Sequence, residues 1–329
     1  MYTEQGDPCK VLKLINSDIQ SPQEGEVLVS MMAAPINPAD INMIQGVYPV
    51  RPPLPAVAGN EGVGKVIAIG SGVQRLKTGD WVVPGHSGWG TWRTRALASE
   101  SELIRVPSDV SMATLATMAV TTCTAFRMLK DFASLKEGDV VMQNGGNSGV
   151  GKALIQLAKH SGLQTVNVVR DRPDLDQLVT DLKSLGATHV ISDAFLRSRD
   201  MKEFMKGLPA PKLACNCVGG KATADLLKYL ADQGTMVTYG GMSKQPLFIP
   251  AGPLIFKDVN LRGFWMTKWN SIRSQEERQA MWDELCDLTR KGVLEAPKHR
   301  LVPLQNFEEA ISKSMDSFTN EKQILSMGD

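Results

Sequence analysis

The chain of 329 residues carries 36 basic and 35 acidic side chains, a formal net charge of +1, so no overall field draws it to nucleic acid or to an anionic membrane. Hydrophobic residues make up 43% and charged residues 22%, which excludes global disorder, and the length excludes a lone small module. Five scattered cysteines, Cys9, Cys123, Cys215, Cys217 and Cys286, are too few for a disulfide framework and point to a reducing compartment.

The opening residues Met1 to Asp7 lack the apolar core of a secretory signal and the Arg-rich character of a transit peptide, so the chain is expected in the cytosol or after loss of a leader. No stretch approaches the roughly 18 consecutive apolar residues of a membrane span, and no membrane association is expected. Glu26 to Met31, Gly64 to Gly70 and Asp80 to Val83 are β-prone and bounded by Gly or Pro, which predicts a small barrel-like β domain over 1–121. From Gly138 the rhythm changes. Asp139 to Gln143 is a short apolar strand, a glycine cluster follows, and Val150, Ala153, Leu154, Leu157 and Ala158 then recur at helical spacing. Thr165 to Val169 completes a β-α-β unit, and Leu175, Leu178, Val179 and Leu182 mark a second helix, closed by Gly186 before the strand His189 to Ile191. Leu213 to Val218, a helix with Leu226, Leu227 and Leu230, and Thr235 to Tyr239 continue the alternation. It predicts an α/β, doubly wound parallel sheet over 122–295. The tail, 296–329, is too short for a core of its own and is expected to return to the first domain, which becomes discontinuous.

The loop Asn144 to Gly151 lies between that first apolar strand and its helix. Glycines there allow a tight turn and let a pyrophosphate approach backbone N–H groups at the positive end of the helix. The spacing is Gly-x-x-Gly-x-Gly, and a ligand-free turn is the plain alternative. After the second strand come Arg170, Asp171 and Arg172, where an NAD enzyme usually carries an acidic residue. Two guanidiniums suit the 2′-phosphate of NADPH, and a solvated charged turn before Pro173 is the alternative. No Cys occurs between Cys9 and Cys123, and the four His (86, 160, 189 and 299) have no metal-ligand spacing, so no metal is expected. Cys215 and Cys217 share one strand face and read as core.

Ala68 to Val73 followed by Gly79-Asp80-Trp81-Val82 resembles the signature of the medium-chain dehydrogenase/reductases, and Asn37-Pro38-Ala39-Asp40 with Gly59-Asn60-Glu61-Gly62 resembles their zinc-free branch. Asp40 to Tyr48, Gly90 to Arg93, Asn147 to Gly151, Val168 to Pro173, Asn216 to Lys221 and Tyr239 to Met242 are similar to the mitochondrial trans-2-enoyl thioester reductases. Matches run from near Gly6 to Leu325. The resemblance implies a Rossmann sheet with a discontinuous GroES-like β-barrel catalytic domain. It also implies NADPH-dependent reduction of the C2–C3 double bond of enoyl thioesters on acyl carrier protein or coenzyme A, in mitochondrial fatty acid synthesis. Hydride added at C3 drives charge onto the thioester oxygen, so the site needs donors there and a proton for C2.

The resemblance makes Tyr48 that proton donor, since a phenol of pKa near ~10 keeps its proton at neutral pH. Taken as a residue alone, a Tyr in the turn Gly46 to Pro49 reads as packing or surface. Cofactor contacts carry over to Asn147, Ser148, Gly149 and Val150 at the pyrophosphate. Arg170, Asp171 and Arg172 serve the 2′-phosphate; Tyr239, Gly240, Gly241, Met242, Phe264, Trp265 and Met266 lie at the nicotinamide end, with Lys322 from the tail. Thr121 stands where relatives usually have Asn, keeping a hydroxyl but losing the amide. The resemblance further implies a homodimer through an edge strand at Val259 to Phe264. The basic residues Arg197, Arg199, Lys202 and Lys206 offer a dock for acidic acyl carrier protein, or simply a solvated helix. A quinone or enone oxidoreductase using NADPH is the second reading.

Overall fold

The computed structural model describes residues 1–316 and 318–328, which form two compact units, Met1–Val120 with Thr267–Asp329, and Thr121–Met266. In the first unit the strand β1 (Glu26–Pro35) is the spine. Val27, Val29, Met31 and Ala33 alternate inward, as half-buried strands require. β1 pairs antiparallel with β2 (Val63–Ile69), which leads to β3 (Trp81–Pro84) and, past β4 (Arg95–Ser99) on β1, to β5 (Leu103–Val106). Register shifts at Leu28/Val29 and Met31/Ala33 bend β1, which lets it serve several partners at once. Val27, Val66, Val82, Trp89, Trp92 and Leu103 fill the core beneath.

The second unit is a six-stranded parallel sheet built from β6 (Val140–Asn144), β7 (Gln164–Val169), β8 (His189–Ser192), β9 (Leu213–Asn216), β10 (Thr235–Thr238) and β11 (Asn260–Gly263), in the order β11-β10-β9-β6-β7-β8. Every residue of β6 and β9 is buried, because helices cover both faces of such a sheet. The order reverses between β6 and β9, and the carboxyl ends of those strands mark the crevice where doubly wound sheets bind ligands. Residues 112–131 have the length and hydropathy of a membrane span, but Leu115, Ala116, Met118 and Met128 belong to the protein interior.

The chain rejoins the first unit at Thr267, earlier than residue 296, where the sequence placed the return. The helix Gln275–Arg290 lies on β5, with Gln275 Nε2 donating to Leu103 O (3.1 Å) and Gln279 Nε2 to Arg105 O (2.8 Å). It buries Met281, Trp282, Leu285 and Leu288, so the helix is part of the barrel's cover. β12 (His299–Pro303) and β13 (Lys322–Ser326) then complete the seven-stranded sheet, β13 running antiparallel to β1 at Ala33 to Pro35.

Candidate functional site

In the second unit the loop after β6 is shaped by backbone demands. Gly145 adopts φ +62°, and a Cβ on Gly149 would lie 2.8 Å from Thr121 Cγ2. Buried Thr121 therefore underpins the loop by packing on Gly149, from within a π-helical turn, Met118–Thr122. Ser148 caps the helix Gly149–His160, its hydroxyl accepting from Gly151 N at 3.1 Å. That helix has no acidic residue in its first turn, so the partial positive charge of its amide end is left for an anion. Asn147 and Val150 flank the cap.

Arg170 is exposed at the end of β7. Arg172 is different: its side chain is 5% exposed and its Nη2 donates to Asp174 at 3.0 Å. The backbone N–H of Asp171 donates to Asp193 at 2.9 Å. The two arginines therefore stand in different environments, Arg170 exposed to solvent and the Arg172 side chain buried against a carboxylate, where the sequence treated them alike. Past β10, Met242 N donates to Cys217 O (2.9 Å), and the Tyr239 hydroxyl is shielded from water beside Cys217 and Ser148, with burial pushing its pKa up. Gly240 and Gly241 complete that turn. Phe264 N donates to Thr238 O (3.0 Å) and its ring meets Phe132 edge-on at 5.6 Å, while Trp265 is partly exposed and Met266 buried.

In the first unit Tyr48 is half-buried four residues after the helix Pro38–Ile44, beside exposed Val47. Pro at the first helical position suits that start, and the buried Asp40 carboxylate reaches back to Asn37 N at 2.7 Å and accepts from Asn60 Nδ2 at 2.6 Å. Asn60 Oδ1 accepts from Gly88 N at 2.8 Å, which joins the helix to the loop beyond β3. Glu61 accepts from Asn37 Nδ2 and from Val120 N, both at 2.7 Å. Lys322, assigned to the cofactor by resemblance, donates to Asn37 Oδ1 and sits beside both carboxylates. Burial lifts Asp40 to about 6 and Glu61 to about 7, and it lowers the Lys322 ammonium. Sequence reasoning quoted Asn37, Asp40, Asn60 and Glu61 only as a family signature; their side-chain network is a structural finding.

Two of the four basic residues considered as a dock, Arg197 and Lys206, are paired internally. Arg197 binds Asp225 (2.9 Å) and Asp193 (3.3 Å), and Lys206 binds Glu203 (2.7 Å). Among the described residues no group of three His, Cys, Asp or Glu gathers to hold a metal ion. Burial raises the thiols of Cys215 and Cys217, as expected of core cysteines.

Comparison with known proteins adds the following. Residues 23–108 match the alcohol dehydrogenase GroES-like domain and residues 149–286 the zinc-binding dehydrogenase domain. The human protein named enoyl-[acyl-carrier-protein] reductase, mitochondrial, is 54% identical over 327 residues, 99% of this chain and 88% of the relative. The solved complex of Etr1p with NADP and crotonyl-CoA has a TM-score of 0.91 at 35% identity, covering 99% of this chain and 98% of that one. The Etr1p/Etr2p heterodimer from Candida tropicalis has a TM-score of 0.90 at 35% identity, with the same coverage.

Proposed function

The chain belongs to the medium-chain dehydrogenase/reductase family, in the group of the mitochondrial enoyl thioester reductases, and from that premise we propose that it reduces the C2–C3 double bond of trans-2-enoyl thioesters with NADPH. The observation that carries the cofactor half of this reading is the Ser148-capped loop, a cradle in which any Cβ on Gly149 would collide with Thr121. Those residues suit a dinucleotide pyrophosphate: the loop backbone at Asn147 to Val150 presents amides to it, and exposed Arg170 serves the 2′-phosphate. Tyr239 to Met242 and Phe264 to Met266 line the nicotinamide end. NADPH bound there supplies the hydride added to C3.

Tyr48 holds its proton at the phenol oxygen and gives it to C2, and the phenolate recovers a proton from water. The network of Asp40, Asn60 and Glu61 keeps the preceding helix in place.

Acyl carrier protein or coenzyme A carries the acyl group, and the chain works in mitochondria, as the names of its relatives suggest. It forms a homodimer through β11, an exposed edge flanked by the helix Ala251–Lys257, on which Ile255 is 69% and Phe256 83% exposed. The reading is tested by following NADPH absorbance with crotonyl-CoA, trans-2-hexenoyl-CoA and a quinone side by side. Turnover of the two thioesters well above the quinone supports it; turnover of the quinone alone favours a quinone oxidoreductase.

A further inference from the structure

Three polar side chains stand side by side at the carboxyl ends of neighbouring strands: Asn144 closes β6, Asn216 closes β9 and Thr238 closes β10. Asn144 Nδ2 donates to Asn216 Oδ1 at 2.8 Å, and Asn216 Nδ2 donates to Thr238 Oγ1, its register partner, at 3.2 Å. Each amide also reaches beyond its own strand. Asn144 Oδ1 accepts from Cys217 N at 2.8 Å, and Asn216 Oδ1 accepts from Gly219 N at 3.2 Å and Val218 N at 3.3 Å. Asn216 Nδ2 further donates to Thr223 Oγ1 at 3.2 Å, at the start of the helix Lys221–Leu227.

Asn144 is 3% exposed and Asn216 0%. Primary amides this deep in an apolar sheet cost free energy unless their donors and acceptors are matched, and an apolar side chain would fill the space without that demand. What the amides do and a leucine cannot is pin loops. The three strands release the glycine loop after β6, the turn from Cys217 to Gly220 after β9, and Tyr239 to Met242 after β10. β6 and β9 flank the point where strand order reverses, the place where such sheets bind nucleotides.

We infer that Asn144 and Asn216 are positioning residues for the cofactor, fixing the spacing between the pyrophosphate loop and the turns beside it before NADPH arrives. This inference rests on the NADPH reading above. The pair acts as one unit, because removing Asn216 strands the buried Nδ2 of Asn144, and removing Asn144 takes from the Cys217 N–H the acceptor that ties the turn after β9 to β6.

The test uses the full-length protein with Asn144→Leu, Asn216→Leu, the double variant, Thr238→Val and Thr238→Ser. NADPH Kd is read by fluorescence titration, KM for crotonyl-CoA by turnover, and Tm by thermal scan. Each leucine variant is expected to weaken NADPH by about tenfold or more, and the double variant to be little worse than the poorer single. KM for crotonyl-CoA should stay within about twofold. Thr238→Val, which keeps the side-chain shape, should weaken NADPH by about threefold and Thr238→Ser should restore it; this pair decides the matter if the leucine variants do not fold. NADPH affinity unchanged within about twofold in folded variants, whatever their Tm, overturns the inference and leaves a purely structural ladder. A wild-type protein that does not bind NADPH at all would instead sink the functional reading.

Discussion

Replacing Glu61 by glutamine should flatten the pH dependence of stability in the first unit. Glu61 is buried, hydrogen-bonded by Asn37 and Val120, and shares its surroundings with Asp40 and Lys322. Desolvation outweighs the attraction of Lys322, and its pKa rises from 4.5 to about 7. A carboxyl whose folded pKa is raised binds its proton more tightly in the folded state. Its contribution is therefore fully present below about 4.5 and is lost as pH climbs through about 7. A rise of that size corresponds to roughly 3 kcal/mol, a large part of the ~5–15 kcal/mol of a typical domain. Asp40, lifted to about 6, acts in the same direction.

Glutamine keeps a carbonyl to accept one of the two hydrogen bonds and carries no charge to desolvate. The expected result is a urea unfolding free energy that falls from pH 5 to pH 8 in the wild type and falls by roughly 2–3 kcal/mol less in Glu61→Gln. Tryptophan fluorescence suits the measurement, because Trp81, Trp89, Trp92, Trp269 and Trp282 all lie in the first unit and only Trp265 does not. A variant destabilised by the same amount at every pH would refute the argument, since it would mean that Glu61 is ionised and well compensated throughout.

Arg170→Glu should reverse the preference for NADPH over NADH, lowering kcat/KM with NADPH by about tenfold or more while NADH changes little; equal losses with both cofactors would remove Arg170 from the 2′-phosphate. Ser148→Ala should cost about 1 kcal/mol through the lost helix cap and raise KM for NADPH, both read from one preparation by thermal scan and steady-state kinetics. Phe256→Asp, at a side chain that is 83% exposed, should leave the monomer folded but shift sedimentation to the one-chain mass; an unchanged dimer would place the interface elsewhere.

The doubly wound sheet was legible because alternation of short apolar strands with helical periodicity leaves few arrangements, and the glycine loop because positive φ and close packing admit little else. The point of return was harder. The helix Gln275–Arg290 shows in its own residues which face is apolar but not that β5 lies beneath it, and so the boundary moved from 296 to Thr267. Arg172 looked equivalent to Arg170 because its partner, Asp174, makes an ion pair that local sequence does not distinguish from a solvated turn. Asn144 and Asn216 were silent for a similar reason, since an Asn after an apolar strand reads as the start of a turn, and only the parallel register of β6 and β9 sets the two amides together. Tyr48 had no signal of its own, and its proposed role comes only from the motif around it.

The account turns most directly on Tyr48→Phe, which removes one hydroxyl and nothing else. With crotonyl-CoA and saturating NADPH, kcat is expected to fall by about 10²- to 10⁴-fold, the usual worth of a positioned acid, while the Kd for NADPH stays within about twofold. A variant that turns over crotonyl-CoA at the wild-type rate would contradict it, leaving the proton for C2 to come from another group.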